Sequence, residues 1–264
     1  KEVCEQVEKM FREFHARLAK TLEAGKWYDI RLEHYDESDS AVIELAWSNA
    51  DQTDGQFEVV GPENLRAAKY APVQVVNPLG NGADPFVVQH NGSYLLVRSA
   101  GNRIRIDKAD RLEDVHVDDP ASETTTAWTA PGGTAYSQNI WAPELHQING
   151  KWYIYFAADD GENANHRLYV LERDDPDPFG PYTFKGKIAD STNRWAIDGT
   201  VIQWDEKLYF VWSGWPGTTN VQQNLYIAEM SNPWTISSAR AVISTPAATW
   251  GRHGLPVNEG PEIL

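Results

Sequence analysis

The chain repeats one pattern of apolar and polar residues three times and then begins it again. In each copy an acidic residue beside proline or glycine precedes an apolar run, a polar turn and a second run headed by aromatics. Short apolar runs bounded by turn residues predict β-strands. The copies are GADPFVVQHNGSYLLVR from Gly82, APELHQINGKWYIYFAA from Ala142, DGTVIQWDEKLYFVWS from Asp198 and the short EGPEIL from Glu259.

The acidic residues of the four copies give the period of the repeat. Asp84, Glu144, Asp198 and Glu259 are separated by 60, 54 and 61 residues. This period is too long for a helical solenoid unit and fits a four-stranded sheet with its loops, the blade of a β-propeller. Because the innermost strands of a propeller surround one axis, the four carboxylates are expected to converge there. The alternative for each is a carboxylate that caps a turn on the outer rim.

Four motifs in the same region resemble the signatures of glycoside hydrolase family 43, in order and in spacing. The resemblance covers residues 75–264 and implies an all-β chain, a partial five-bladed propeller that ends on the first strand of blade four. Members of that family cleave arabinofuranosides or xylosides with inversion. The motifs are ADP (83–85), WAPEL (141–145), AIDG (196–199) and NEGPE (258–262).

The resemblance assigns roles to the acids. It implies that Asp84 is the general base, that Glu259 is the general acid, and that Asp198 raises the pKa of Glu259 and orients it. Inverting hydrolysis needs two such groups about 6.5–9.5 Å apart, with room for a water between them. The family does not use the glutamate of WAPEL for proton transfer, so Glu144 is expected to contact a sugar hydroxyl or to support the catalytic groups.

Two tryptophans are candidate sugar contacts in a chain that contains 11 Trp and 11 Tyr. Trp141, beside Glu144, is a candidate platform for a sugar ring, with packing between blades as the alternative. Trp215 lies in the loop Gly214–Asn220 and is expected to be exposed. The segment Asp118–Gly133 shows no periodicity and predicts a surface crossover between blades.

The first 69 residues predict a separate domain, with the propeller over residues 70–264. The apolar spacing over residues 3–22 predicts an amphipathic helix, although residues 14–22 also alternate as a strand would, and both interpretations stay open. Residues 28–32 and 41–47 predict an antiparallel hairpin. The run 22–65 resembles the C-terminal part of a protective-antigen-type β-sandwich, a sugar-binding module.

The net charge and the cysteine count limit which partners and cofactors the sequence predicts. A formal net charge of −15 disfavours binding to nucleic acid or to an anionic membrane, so a neutral glycan containing arabinose or xylose is the predicted partner. The one cysteine excludes an internal disulfide, and no metal-binding motif is present, so no cofactor is predicted. Some family members hold a central cation through a fifth-blade histidine, which leaves a structural cation to a longer parent protein.

The resemblance to family 43 implies an inverting glycoside hydrolase acting on plant cell-wall polysaccharides or their oligosaccharides. The preferred activity is that of an α-L-arabinofuranosidase, with a β-xylosidase or a non-catalytic glycan-binding fragment as alternatives. The resemblance also implies a secreted or periplasmic protein, although no signal peptide opens this chain. A purely structural propeller is disfavoured, because such repeats do not need an acid at each blade.

Overall fold

The computed structural model describes residues 82–116, 119–249, 252 and 254–263, together with the backbone of one short strand pair nearer the N-terminus. The chain divides into two units, Lys1–Gln74 and Val75–Leu264. In the first unit β1 (Ala46–Trp47) pairs antiparallel with β2 (Glu58–Val59). The predictions for residues 3–22, for the strand at 28–32 and for the β-sandwich resemblance lie outside the described residues.

The first sheet of the second unit is a four-stranded antiparallel blade. Its strands lie in chain order, so that the first forms one edge and the last the other. The strands are β3 (Phe86–His90), β4 (Ser93–Ser99), β5 (Arg103–Ala109) and β6 (Glu123–Thr129).

The strand β6 corrects one prediction, since it lies inside the segment that was expected to be a crossover. Its sequence ETTTAWT contains the β-branched and aromatic residues that favour strands. It does not alternate clearly because β6 is an edge strand in which only Ala127 is buried. The pattern of apolar and polar residues therefore did not predict β6, because few of its side chains are buried in the core.

Two further sheets follow the same plan. The second blade comprises β7 (Gln138–Ile148), β8 (Lys151–Asp159), β9 (Arg167–Arg173) and β10 (Thr183–Ile188) in that order. In the third, β13 pairs with both short final strands. Its strands are β11 (Ala196–Trp204), β12 (Lys207–Gly214), β13 (Asn224–Asn232), β14 (Thr235–Ile236) and β15 (Ala241–Ser244).

The turns between the first two strands of blades one and two follow the prediction. Asn91 and Gly92 have φ of 50° and 87°, and Asn149 and Gly150 have φ of 51° and 81°. Two consecutive left-handed residues define the tight hairpin turn that matches the twist of paired strands, and Asn-Gly adopts it with little strain. Both predicted hairpins are confirmed.

The core lies between the blades, with β8 at its centre. Alternate residues of a strand point to opposite faces of the sheet. Tyr153 and Tyr155 belong to the buried cluster shared with blade three, whereas Ile154 and Phe156 belong to the cluster shared with blade one. The strand β7 lies beside both β3 and β11, so the first strands of the three blades are neighbours. The all-β prediction is confirmed, and the acids of the repeat lie on adjoining edges.

The segment after blade three differs from its prediction. Residues 258–263 form no strand, although they were expected to begin blade four. They are held instead by hydrogen bonds to blade three: Ser213 Oγ donates to the Asn258 carbonyl at 2.8 Å, and the Asn258 N–H donates to the Gln223 carbonyl at 3.1 Å. Pro261 offers no N–H for a ladder. The segment that carries Glu259 is therefore anchored without being a strand.

Candidate active site

Asp84 and Asp198 share an unusual backbone conformation. Asp84 precedes β3 by two residues and Asp198 is the third residue of β11, and their φ angles are 50° and 51°. Left-handed φ is uncommon outside glycine, and aspartate is among the residues that tolerate it. At Asp198 it coincides with a shift in strand register between Ile197 and Thr200. The two motifs thus form equivalent corners on different blades.

The pKa of Asp198 is raised in part by the charges of the other acids. It is half-buried, whereas Asp84 and Glu259 are exposed. Burial raises the pKa of Asp198 to about 6, partly offset by the N–H of Gly260, which donates to its Oδ2 at 3.0 Å. The carboxylates of Glu259, Asp84 and Glu144 add to this rise in pKa, in that order. Acids from the three blades and the following segment therefore lie close enough to act on one group.

The glycine of the AIDG motif is required by packing. A Cβ at Gly199 would lie 2.4 Å from Cζ of Phe210 and 2.9 Å from Cδ2 of Leu168. Both neighbours are buried in the core between blades two and three. Because only glycine fits there, Asp198 is held directly against the core, which accounts for its burial.

Glu144 is buried and paired with a histidine that the sequence analysis did not assign. Nε2 of His146 lies 2.8 Å from Oε2 of Glu144, and the imidazole packs on Phe86 of blade one with 5.1 Å between ring centroids. Because Glu144 and His146 are two residues apart on a strand, their side chains lie on the same face of the sheet. That spacing was a usable signal for the pair. Glu144 therefore sits behind the exposed acids, where it has a hydrogen-bond partner.

Glu262 is a second acid that the sequence analysis left without a role, although it lies inside the NEGPE motif. Partial burial raises the pKa of Glu262, and the Glu144 carboxylate adds to the rise while His146 opposes it. Glu262 is therefore a neighbour of the pair formed by Glu144 and His146.

Trp141 is partly exposed and lies on the same strand as Glu144. The residue is 39% exposed and stacks on His166, with 4.0 Å between ring centroids and 27° between ring planes. The strand β7 is irregular here, with two register shifts and left-handed φ at Asn139 and Ala142. Bulges re-aim side chains, which accounts for a large aromatic projecting from an inner strand.

A polar network beneath Trp141 joins the buried Asp159 and His166 to the exposed Asn139. Nδ1 of His166 lies 2.8 Å from Oδ2 of Asp159, and His166 Nε2 lies 3.1 Å from the carbonyl oxygen of Asn139. The Asn139 amide donates to both Asp159 oxygens at 3.0 and 3.1 Å. Burial lowers the pKa of His166, and Asp159 opposes that effect. Asn139 lies 20 positions before Asp159, and the three residues form no motif, so sequence reasoning could not group them.

Trp215 corrects a prediction. It is 5% exposed rather than exposed, and its ring stacks on Trp195 with 4.9 Å between centroids and 9° between planes. The backbone N–H of Trp215 donates to the Trp195 carbonyl at 3.2 Å. The polar, glycine-containing loop gave no sign that its tryptophan folds back into the core. A ring covered in this way has no face to offer a sugar.

Metal sites and membrane-spanning helices were sought among the described residues alone. Within them, no group of three or more His, Cys, Asp or Glu side chains is arranged to hold a metal ion. In the same part of the chain, no helix has the length and apolar character needed to cross a membrane.

Comparison with known proteins gives consistent matches. The sequence profile of the family "Glycosyl hydrolases family 43" matches residues 75–264. Extracellular exo-α-(1→5)-L-arabinofuranosidases of Streptomyces avermitilis and Streptomyces chartreusis are 33% and 36% identical over 209 and 200 residues. The matches cover 77% and 73% of this chain but 43% and 60% of those relatives, so the chain spans about half their length.

Solved structures agree on the fold. The crystal structure of an α-L-arabinofuranosidase from Lactobacillus brevis is 37% identical, with a TM-score of 0.65 over 72% of this chain and 62% of that one. A thermostable family-43 glycoside hydrolase, 22% identical with a TM-score of 0.55 over 70% and 61% of the two chains, shares the fold. On the family profile, these relatives and its four ordered motifs, the chain belongs to glycosyl hydrolase family 43.

Proposed function

We propose that the protein is an inverting, exo-acting α-L-arabinofuranosidase. The observation that best supports the proposal is the raised pKa of Asp198, to which Glu259, Asp84 and Glu144 contribute, together with the 3.0 Å hydrogen bond from the Gly260 N–H to its carboxylate. The names of the Streptomyces and Lactobacillus relatives support arabinofuranosides as the substrate class.

In the proposed reaction the Asp84 carboxylate takes a proton from a water molecule. The oxygen of that water forms a bond to the anomeric carbon while the bond to the leaving oxygen breaks, and Glu259 gives its proton to that oxygen. Both groups are exposed, so water and substrate have access to them. The products are free arabinose of inverted configuration and the shortened glycan.

Asp198 has a positioning role in this proposal. Its carboxylate accepts a hydrogen bond from the N–H of Gly260, the residue after Glu259, and so ties the acid-bearing segment to blade three. Trp141 provides the sugar platform, with Glu144 behind it as a hydroxyl contact or support.

Location and sugar preference are part of the proposal. Both Streptomyces relatives are named extracellular, and we extend that location to this protein. A xyloside substrate is the second candidate, because a Humicola insolens relative named xylosidase/arabinosidase 43A is 29% identical over 169 residues. That match covers 57% of this chain and 50% of the relative.

The test is hydrolysis of nitrophenyl α-L-arabinofuranoside and nitrophenyl β-D-xyloside. It is measured for the 264-residue chain and, in parallel, for the protein expressed from the full open reading frame that encodes this chain. We expect the arabinoside to be the better substrate. We expect Asp84→Asn and Glu259→Gln each to lower kcat/KM at least about 100-fold, the usual contribution of a general acid or base. NMR of the released sugar should show inversion.

Asp205→Asn is the matched control. Asp205 is exposed, has φ of 49° and lies just after the other end of β11, so the change removes one aspartate of similar conformation away from the site. It should leave kcat/KM within about twofold, because surface substitutions away from a site have small effects. Equal rates in wild type, Asp84→Asn and Glu259→Gln, or no hydrolysis by either protein, would refute the proposal.

A further inference from the structure

A second concave site lies on blade two, apart from the acids. It is an open cavity of about 370 Å³. This size falls within the roughly 300–1,000 Å³ of small-molecule sites in proteins. Its lining combines aromatic rings, cationic groups and amides, contributed in part by Tyr136, Arg167, Tyr169, Phe184, Lys187 and Asn193.

The aromatic wall of the cavity is fixed in place. Tyr136 and Phe184 are partly exposed and stack with 4.3 Å between ring centroids and 21° between planes. Tyr169 is buried behind them, and its hydroxyl donates to the Ala135 carbonyl at 3.1 Å. A rigid aromatic surface of this kind suits the apolar C–H face of a sugar ring.

Among the described residues, the two cations of the cavity have no acidic partner. Arg167 is half-buried, and its guanidinium donates to the carbonyls of His166 at 2.7 Å and Ala164 at 3.4 Å and to Asn193 Oδ1 at 3.3 Å. Within the part of the chain that the structure describes, no carboxylate forms an ion pair with Arg167 or Lys187. In a chain with a net charge of −15, two cations without acids in one cavity are unexpected.

The charge of the cavity depends on the nearby Asp160 and on the protonation of Arg167. The Asp160 carboxylate is close by, but it accepts hydrogen bonds from the Asn165 amide and the Glu162 N–H. Burial lowers the pKa of Arg167, which reflects a guanidinium desolvated without a counter-charge, and arginine nevertheless remains protonated. A ligand carboxylate would supply the missing charge, because hydrogen bonds between a guanidinium and a carboxylate are assisted by both charges.

The cavity lies at the same end of blade two as the sugar platform. Gln138 at the start of β7 pairs with Asp159 at the end of β8, and Ala158 pairs with Arg167 at the start of β9. Arg167 also directly follows His166, on which Trp141 stacks. The cavity and Trp141 therefore lie at the same end of this blade.

We propose that this cavity binds a uronic acid residue of an acidic, arabinose-bearing glycan. Arg167 and Lys187 receive its carboxylate, and the parts of Tyr136 and Phe184 that remain exposed contact its ring. The inference rests on the proposed function to the extent that the same glycan presents its arabinose to the exposed acids.

The test is calorimetric titration of the 264-residue chain with two acidic probes, a glucuronate-substituted xylo-oligosaccharide and an oligogalacturonide. Each is compared with its counterpart in which the carboxyl groups have been reduced to alcohols. We expect the acidic form of at least one probe to bind at least about tenfold more tightly than its reduced form, and the arm that responds identifies the source of the uronate. Arg167→Gln and Lys187→Gln, made separately, should each remove most of this preference.

Lys207→Gln is the control, because it removes one positive charge from an exposed pair with Glu229 on blade three. It should keep the wild-type preference, and circular dichroism should show that each variant is folded. Lys187 is exposed, so its variant provides the test even if Arg167→Gln does not fold. Equal affinity for the acidic and reduced forms of both probes, or an unchanged preference in Lys187→Gln, would overturn the assignment.

The outcome separates this inference from the proposed function. Binding requires no turnover, and hydrolysis is measured with a neutral nitrophenyl arabinoside that has no carboxylate. Hydrolysis without acid-dependent binding refutes the cavity assignment alone. Acid-dependent binding without hydrolysis refutes the proposed activity alone.

Discussion

The corners at the start of β3 and within β11 have the same backbone conformation but different surroundings. Asp84 and Asp198 have φ of 50° and 51°, and each belongs to a motif of the family. Asp84 is exposed, and a Cβ on nearby Gly82 would meet nothing within 4 Å. Asp198 is half-buried beside Gly199, where a Cβ would overlap the core. One local geometry therefore serves an accessible carboxylate in one blade and a constrained carboxylate in another.

The largest expected difference between the corners is in packing. Gly199→Ala should lower the free energy of unfolding by about 3 kcal/mol, because overpacking a filled core costs about 1–3 kcal/mol and this Cβ would lie very close to Phe210. Chemical denaturation monitored by tryptophan fluorescence measures the change. Gly82→Ala is the matched control and should be neutral or slightly stabilising. Equal effects of the two substitutions would mean that the corners do not differ in packing.

The second difference is electrostatic and depends on pH. The pKa of Asp198 is about 6 in the folded protein, above its ordinary value of 3.8, so ionisation of Asp198 destabilises the fold at neutral pH. At about 1.4 kcal/mol per pKa unit this shift corresponds to about 3 kcal/mol, and screening by solvent at the half-buried carboxyl reduces it. Asp198→Asn should therefore raise the free energy of unfolding at pH 7 by about 2 kcal/mol. The gain should decline as the pH falls from about 6 and vanish below about 4, where the wild-type carboxyl is protonated in both states.

Asparagine suits this test because it keeps an acceptor for the Gly260 N–H and tolerates left-handed φ. Asp84→Asn is the comparison at the other corner, and denaturation at several pH values measures both variants. Because Asp84 is exposed, its substitution should change the free energy of unfolding by less than about 0.5 kcal/mol. A gain at pH 4 as large as the gain at pH 7 would show that Asp198 is not destabilised by its charge.

The contrast between local and distant contacts explains which features the sequence could predict. Features set by a few neighbouring residues were read correctly, including the turns at Asn91-Gly92 and Asn149-Gly150 and the order of the acidic corners. The strand β6 was missed because an edge strand with one buried residue carries little alternation.

Features set by distant contacts could not be read from local pattern. The burial of Trp215 depends on Trp195, twenty positions earlier, and the support of Trp141 depends on His166 and Asp159. The cavity beside Arg167 likewise joins residues from several strands and loops. Only the fold places these groups together, so no spacing in the sequence could have indicated them.

The central claim is that acids from different blades converge on one place, and the pKa of Asp198 tests it most directly. Carbon-detected NMR titration of the Asp198 carboxyl in the 264-residue chain should give a value of about 6. The double variant Asp84→Asn/Glu259→Gln should lower this value, because two neighbouring negative charges are removed, while Asp205→Asn should leave it unchanged. A wild-type value near the ordinary value of about 4, or one that the double variant does not move, would contradict the convergence of these carboxylates.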